Sequence, residues 1–163
     1  MNKLTFFNIL ITGRSNVGKS TLFNRLQNKN ISIIDNNPGT TRDFKFSDLN
    51  FGNFFIRLYD TAGFDLLSKE TQFKKEIKIT TDNLLKKSDL ILLVVDSKVG
   101  LTNNDVVFFD YLRKYHFKTF LVSNKHDNDI KSEKLWEFLS FGLEYSFPVS
   151  AIHGIGIDIL KNE

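Results

Sequence analysis

The sequence has no cysteine and few residues of the kinds that bind structural metals. With no thiol in 163 residues, the chain has neither a disulfide framework nor a thiolate metal site. Its three histidines, His116, His126 and His153, are scattered without the spacing of metal ligands, so we interpret them as ordinary surface or loop residues. These absences exclude a disulfide-stabilised fold and a metal site built on cysteine.

Long hydrophobic runs are also missing. No apolar run reaches the length of a membrane span, and the Met-Asn-Lys start lacks the apolar region of a secretory signal. We therefore expect a cytoplasmic protein with no membrane partner. Because 41% of the residues are hydrophobic, residues 1–163 have enough apolar side chains for the core of one globular domain.

Charge of one sign does not dominate. The chain has 22 basic and 19 acidic side chains and a net charge of +3, which is too balanced to indicate nucleic-acid binding. Lysines are frequent in residues 69–87, but Glu70 and Glu76 interrupt them. We interpret this segment as the solvated face of a helix and expect no direct RNA binding by this chain.

The stretch GRSNVGKST, Gly13–Thr21, fits the pattern G-x-x-x-x-G-K-[ST] between an apolar run and a helical segment. Gly13 and Gly18 permit backbone conformations that other residues avoid and let the main chain approach a ligand. Successive N–H groups can then surround an anion at the positive end of the following helix. Lys19 supplies a charge for the β- and γ-phosphates of a nucleotide, and the Ser20 hydroxyl can bind Mg²⁺.

The rest of the chain alternates strand-like and helix-like segments. Predicted strands are Leu4–Thr12, Phe44–Asn50, Phe54–Asp60, Leu90–Val95, Thr119–Ser123 and Tyr145–Val149. Predicted helices cover about 19–27, 73–87, 103–115 and 132–141, and a last one begins near Gly156. Residues 29–43 have turn residues and little periodicity, so we predict a long loop. Repeated strand–helix units predict a doubly wound α/β sheet with its ligands at the carboxyl ends of the strands.

The sequence DTAG, Asp60–Gly63, opens a second polar loop about forty residues after the first. Asp60 ends a predicted strand and is placed to hold the Mg²⁺ shell, and Gly63 leaves its N–H free for a γ-phosphate. Alone, DTAG would be better explained as a turn that ends a strand. Its position after a phosphate loop favours the metal and phosphate role.

The sequence NKHD, Asn124–Asp127, indicates which base is bound. The Asp127 carboxylate can accept from the N1–H and N2–H₂ of guanine, whereas adenine has no such donor pair. Lys125 can lie along the base plane, and Asn124 can connect this loop to the phosphate loop. The Ser150–Ala151 turn, after the last strand, offers a backbone N–H for guanine O6.

In this order, these motifs resemble the translation-factor-like GTPases and, most closely, the Der (EngA) family of bacterial ribosome-assembly GTPases. The matching text is GRSNVGKSTLFNRL, NNPGTTRD, DLILLVVDSKVGLTNND and FGLEYSFPVSAIHGIGI. The family has two tandem G domains and a KH-like domain. We expect this chain to be the first G domain, truncated within its terminal helix and without the other two domains. The resemblance implies a three-layer P-loop GTPase fold, with a mostly parallel six-stranded sheet that has one antiparallel edge strand and helices on both faces.

The resemblance also implies the roles of the site residues. The phosphates of GTP or GDP would be bound by Gly13, Arg14, Ser15, Asn16, Val17, Gly18, Lys19, Ser20, Thr21 and Gly63. The base would be bound by Asn124, Lys125, Asp127, Ser150 and Ala151. Mg²⁺ would be held by Ser20, by Asp60 and by Thr41 of the first switch. Lys19, Thr41, Gly63 and Asn16 would contribute to hydrolysis. The large ribosomal subunit would be a partner of the full-length parent protein.

The chain departs from related GTPases at two positions that bear on the chemistry. Ser15 stands where the family has proline, which should loosen the loop without removing a ligand. Phe64 follows DTAG where Ras-like proteins have a glutamine that positions water. An apolar side chain cannot do this, and the resemblance points to K⁺ held by the Asn16 side chain as the substitute. Alternatively, Asn16 only shapes the turn and Phe64 only packs under the switch.

Two other functions stay open at this point. One is a nucleotide-gated binding module that barely hydrolyses GTP and whose output is the shape of residues 29–43 and 64–75. The other is the G domain of a tRNA-modification GTPase, which shares GTTRD and DTAG but would have a helical frame around the domain. The sequence shows no such frame.

Overall fold

The computed structural model of the protein describes residues 6–27, 32–33, 40–41, 44–51, 53–61, 72–127 and 133–163. Within these ranges the strands are β1 (Phe7–Thr12), β2 (Ser32–Ile33), β3 (Thr40–Thr41), β4 (Phe44–Phe51), β5 (Phe54–Thr61), β6 (Leu90–Asp96), β7 (Thr119–Asn124) and β8 (Ser146–Pro148). The helices are α1 (Lys19–Gln27), α2 (Gln72–Lys87), α3 (Asn103–Leu112), α4 (Glu133–Glu137) and α5 (Ile157–Asn162). From β5 onward, strands and helices alternate, as the sequence predicts.

These strands form one sheet in the order β2-β4-β5-β1-β6-β7-β8, and β3 pairs with β4. Neighbouring strands are parallel throughout the part of the sheet ordered β5-β1-β6-β7-β8, and β4 is antiparallel to β5. The predicted six-stranded sheet with one antiparallel member is therefore confirmed for the strands longer than two residues. β2 and β3 add two residues each on the outer side of β4.

The prediction of a loop throughout residues 29–43 is wrong at these two short pairings. Ser32–Ile33 and Thr40–Thr41 both pair with β4. Because β4 is the last long strand on its side, its outer N–H and C=O groups need partners and can bond to even a two-residue segment. A two-residue segment has no visible alternation of polar and apolar side chains, so the sequence does not reveal it. The remainder of 29–43 lies outside the described residues.

Helices cover both faces of the sheet. On one face, α1 and α5 pack on alternate strand residues in a core that includes Leu92, Val94 and Val122. On the other face, α2, α3 and the segment after α4 pack in a second core that includes Leu93 and Val95. The uninterrupted apolar run of β6 thus serves two cores, because its neighbouring side chains point to opposite faces. The result is the predicted three-layer architecture.

Two predicted helices end early as α-helices. α3 stops at Leu112 and α4 at Glu137, and in each case the chain continues as a 3₁₀ turn, over Arg113–Lys118 and Phe138–Phe141. Gly142 ends the second turn with a φ of +64°, a conformation that suits glycine. In the part of the chain that the structure describes, no helix is long and apolar enough to cross a membrane.

The polar motifs lie at the carboxyl ends of the parallel strands. In the sheet register, Ile11 of β1 is opposite Asp60 of β5, and Asp96 of β6 is opposite Asn124 of β7. The phosphate loop, the end of β5 and the loop after β7 therefore meet at one edge. This is the edge at which doubly wound sheets bind ligands.

Candidate nucleotide site

The loop between β1 and α1 has a backbone that few sequences could adopt. Its φ angles are +141° at Gly13, +63° at Asn16 and +93° at Gly18. A Cβ at Gly13 would collide with the Val94 carbonyl oxygen, and one at Gly18 would collide with the side-chain amide of Asn124. Both glycines are therefore required by conformation and by space. Asparagine is one of the few other residues that tolerates a positive φ.

The side chains of the loop point in different directions. Val17 is buried in the core with α1, while Ser15, Ser20 and Thr21 are exposed. Arg14 turns toward α3, where its Nε donates to Asp105. The predicted phosphate loop is thus exposed along one side and packed against the protein along the other.

Lys19 is the first residue of α1 and is almost fully buried, with 5% of its surface exposed. Its Nζ donates to the carbonyl oxygen of Arg14 at 2.7 Å, across the inside of the loop. Burial lowers the pKa of Lys19 to about 8, although the nearby Asp60 carboxylate opposes the shift. A desolvated ammonium at the first turn of a helix is suited to an anion.

Asp60, near the end of β5, is buried and lies beside Lys19. Burial raises its pKa, and the opposing effects are a hydrogen bond from the Ser20 side chain and the charges of Lys19 and Lys45. Its Oδ1 atom has no hydrogen-bond partner among the described residues. A buried carboxylate oxygen without a donor, next to a hydroxyl, is the ligand chemistry that Mg²⁺ prefers. The residues present therefore fit the predicted metal.

The other predicted residues of this end are only partly described. The backbone of Thr41 belongs to β3, opposite Phe44, and nothing is described of its side chain. Gly63 and Phe64 lie outside the described residues.

At the other end of the site, Asn124 joins three loops. Its Nδ2 donates to the Val17 carbonyl oxygen at 2.8 Å, which confirms the predicted connection to the phosphate loop. Its Oδ1 accepts from the Ala151 N–H at 3.0 Å, and the Ser150 N–H donates to Ile155. Both N–H groups of the Ser150–Ala151 turn already donate to protein acceptors. A contact from this turn to guanine O6 therefore requires one of these N–H groups to leave its present acceptor.

Lys125 connects the phosphate loop to β6. Its Nζ donates to the Asn16 carbonyl oxygen at 2.7 Å and pairs with Asp96 Oδ2 at 2.6 Å. The residue itself has a φ of +66°, so the turn after β7 is held in an uncommon backbone conformation. The side chain thus joins the phosphate loop to the end of β6, and its position along a base stays a prediction.

The Asp127 carboxylate is partly exposed and has several partners. The Ser150 hydroxyl donates to its Oδ1 at 2.6 Å, and the Lys98 ammonium pairs with its Oδ2. These two donors, Lys98 first, hold the pKa of Asp127 below its ordinary value. The adjacent His126 is in a loop, as predicted, but it is buried and not on the surface.

Three side chains of the site were not identified from the sequence. Asp96 is the last residue of the apolar strand β6 and Lys98 lies two residues after it, and this position at a strand end, already used for Asp60, could have revealed them. Arg25 of α1 donates to the carbonyl oxygens of Ala151, at 2.7 Å, and of Ile152. A single arginine on an amphipathic helix carries no sequence signal for such a contact.

The sequence model of a family described as "50S ribosome-binding GTPase" matches residues 8–125, from β1 to the middle of NKHD. The chain belongs to this family. Membership confirms the GTPase domain that the motif order predicts. The match includes the phosphate loop, the end of β5 and Asn124–Lys125 of the site described above, whereas Asp127 and the Ser150–Ala151 turn lie after the matched residues.

Curated relatives named GTPase Der confirm the resemblance to that family. The relative from Kosmotoga olearia is 43% identical over 155 residues, which are 93% of this chain and 35% of that protein. The relative from Halothermothrix orenii is 41% identical over 157 residues, 95% of this chain and 35% of that protein. The chain therefore spans about a third of the length of the relatives it matches.

Solved structures of GTPases have the same fold. An Aquifex aeolicus Era variant bound to GDP·AlF₄⁻ is 27% identical, with a TM-score of 0.76 over 95% of this chain and 54% of Era. Era in complex with MgGDPNP and nucleotides 1506–1542 of 16S ribosomal RNA is 26% identical, with a TM-score of 0.76 over 98% of this chain and 56% of that protein. The predicted P-loop GTPase fold is confirmed by this likeness.

Proposed function

We propose that this chain binds GTP together with Mg²⁺ and hydrolyses it to GDP and phosphate, as the switch domain of a ribosome-associated GTPase. The observation that carries the proposal is the meeting, at one sheet edge, of three groups from different parts of the chain: the start of α1, the end of β5 and the loop after β7. These are the buried ammonium of Lys19, the buried carboxylate of Asp60 and the accessible carboxylate of Asp127. A ligand with an anionic end and a base that has two adjacent N–H donors fits this arrangement.

At the phosphate end, the N–H groups of residues 13–21 and the Lys19 ammonium bind the phosphates. Ser20, Asp60 and Thr41 would hold Mg²⁺, and the N–H of Gly63 would be a donor to the γ-phosphate. When bound, Mg²⁺ would neutralise the charge that develops in phosphoryl transfer. The support is the Asp60 oxygen that has no hydrogen-bond partner among the described residues and lies beside the Ser20 hydroxyl.

At the base end, Asp127 accepts from the N1–H and N2–H₂ of guanine, and Lys125 lies along the base. Asn124 positions both groups, because it bonds to the phosphate loop and to the Ser150–Ala151 turn. Adenine would leave the carboxylate without donors, so ATP is rejected.

Phe64 has no amide with which to orient the attacking water. We propose that hydrolysis depends instead on K⁺ bound by the Asn16 side chain, which stabilises the charge of the transition state. Asn16 is exposed in the phosphate loop, and its backbone carbonyl oxygen accepts a hydrogen bond from the Lys125 ammonium. The side chain is therefore attached to a fixed backbone beside the expected phosphates. A cation there would stabilise charge in the transition state.

The biological role we propose is a switch in assembly of the large ribosomal subunit, in the cytoplasm where ribosomes are made. The family description, 50S ribosome-binding GTPase, supports it. In a parent protein of the Der type, this chain would be the first of two tandem G domains, followed by a KH-like domain. The ribosomal partner would then be contacted through the full-length protein.

Phosphate release at saturating GTP, measured on the chain alone and with 50S particles, tests the proposal. We expect the chain alone to release phosphate slowly, and Lys19→Ala to abolish this release. We expect 50S particles to accelerate the release by the full-length parent protein. GTP binding without phosphate release under either condition would instead support a nucleotide-gated binding module. Acceleration by tRNA and not by 50S particles would support the tRNA-modification alternative.

A further inference from the structure

Both oxygens of the Asp127 carboxylate already have donors from the protein itself. The Ser150 hydroxyl donates to Oδ1, and the Lys98 ammonium pairs with Oδ2. His153 is farther away, with its Nε2 3.9 Å from Oδ1. A guanine that uses this carboxylate must therefore share it with these groups or displace one of them.

The two donors differ in their freedom to leave. Ser150 is fully buried, so its hydroxyl is held next to Oδ1 by the surrounding turn. Lys98 is 61% exposed in its side chain and reaches the carboxylate on a flexible four-carbon stem. A neutral hydroxyl leaves lone pairs of the carboxylate available, whereas an ammonium also neutralises its charge. Lys98 is the partner that a base can displace.

The backbone of Lys98, in contrast, is fixed. Asp96 Oδ1 accepts from the N–H of Lys98 at 3.0 Å and from that of Val99 at 3.2 Å. Lys134 of α4 donates to the Lys98 carbonyl oxygen at 2.7 Å. The tight turn after β6 therefore holds the Lys98 backbone beside the base pocket, and the side chain can change rotamer while the backbone stays in place.

We propose that Lys98 is a gate on the base pocket, paired with Asp127 until guanine displaces it. The residue then sets the rate and strength of guanine binding without being one of the groups that read the base. This inference rests on the proposed function, because it takes Asp127 as the guanine-reading carboxylate. The ion pair with Asp127 competes with the base for the same oxygen.

Three consequences follow from this competition. Removing the charge of Lys98 should accelerate association of GDP and tighten its binding by about fivefold at most, the upper range for an ion pair exposed to water. Salt should reduce the difference, since it screens the pair. Inosine diphosphate lacks the 2-amino group and uses the carboxylate less, so the same change should affect it less.

The test compares the unmutated chain with Lys98→Met, which keeps the length of the side chain and removes its charge. Stopped-flow association and equilibrium titration with a fluorescent GDP and a fluorescent inosine diphosphate give the rates and affinities, at 50 and 500 mM NaCl. Lys87→Met, at an exposed lysine in the last turn of α2, controls for the loss of one positive charge. Lys98→Arg, which keeps the charge, should retain the behaviour of the unmutated chain.

Each outcome has one meaning. Faster and tighter GDP binding by Lys98→Met, absent in the Asp127→Ala background, supports the gate. Equal GDP binding by Lys98→Met and the unmutated chain overturns it, and weaker binding overturns it in favour of a Lys98 that contacts the bound nucleotide. If the unmutated chain does not bind GDP, the proposed function is wrong and the gate is overturned with it, whereas normal GDP binding with no effect of Lys98→Met overturns the gate alone.

Discussion

Arg14 of the phosphate loop donates through Nε to Asp105 of α3 at 3.0 Å, although the two residues are 91 positions apart. Asp105 is buried and also accepts from the backbone N–H of Thr102, at 3.1 Å, and from its hydroxyl, at 2.6 Å. One carboxylate therefore both caps α3 and holds the phosphate loop. The position of the loop depends on this helix.

Asp105→Ala should lower the free energy of unfolding by about 2–4 kcal/mol, because it removes the cap and leaves the partly buried Arg14 guanidinium without its partner. Urea denaturation measures the change. Asp110→Ala in the same helix is the matched control. Asp110 pairs with Arg113 at the surface, so its loss should cost less than ~1 kcal/mol. Similar losses for the two variants would contradict the structural role of Asp105.

Asp127→Asn should change the base preference of the chain from guanine to xanthine. An amide presents one acceptor and one donor where the carboxylate presents two acceptors, which matches xanthine better than guanine. We expect GDP affinity to fall by about 10- to 100-fold while the affinity for xanthosine diphosphate rises. Calorimetric titration with GDP, ADP and xanthosine diphosphate checks this. If the unmutated chain binds ADP as tightly as GDP, Asp127 does not read guanine.

Binding of GDP should take up a proton at Lys19. Burial lowers the pKa of this lysine to about 8, so near pH 8 it is half protonated before the nucleotide binds. The arriving phosphates favour the charged form and raise its pKa. The uptake is therefore about half a proton per GDP at pH 8 and falls toward zero at pH 6, where Lys19 is already charged.

Calorimetry in two buffers of different ionisation enthalpy, with EDTA present, measures this uptake. Lys19→Arg is the control, since a guanidinium stays charged throughout this pH range and should bind GDP without the lysine's proton. Equal uptake by the arginine variant and the unmutated chain would mean that Lys19 does not titrate on binding.

Hydrolysis of GTP should be faster in KCl than in NaCl at the same ionic strength. Asn16→Ala should remove the difference, because only the side chain is proposed to hold K⁺. Alanine is strained at the φ of +63° found here, so the effect on GDP affinity is measured in Asn16→Gly, which accepts this backbone and should leave the affinity largely unchanged. Single-turnover phosphate release measures both rates. Asn83→Ala, at an exposed position on α2, should keep the potassium dependence. Identical rates of the unmutated chain in the two salts would remove K⁺ from the mechanism.

The sequence by itself determined the fold class and predicted which residues meet at the candidate site, because both depend on local patterns. The apolar run of β6 predicts a strand buried on both faces, and the glycines at 13 and 18 predict a loop whose backbone other residues could not adopt. The position of polar residues directly after strands predicts their meeting at one edge, since parallel strands end together. The order of the motifs was sufficient for the family.

Only the tertiary structure decided which side chains touch across the site. Contacts such as Arg14 with Asp105 and Lys98 with Asp127 join residues from different loops, and their geometry depends on the register of the sheet and the packing of α3 and α4. The same holds for the Ala151 N–H, which is taken by Asn124. Periodicity and spacing describe neighbours along the chain. They carry no information about which of several long polar side chains will reach a given carboxylate, because that depends on distances that the folded backbone sets.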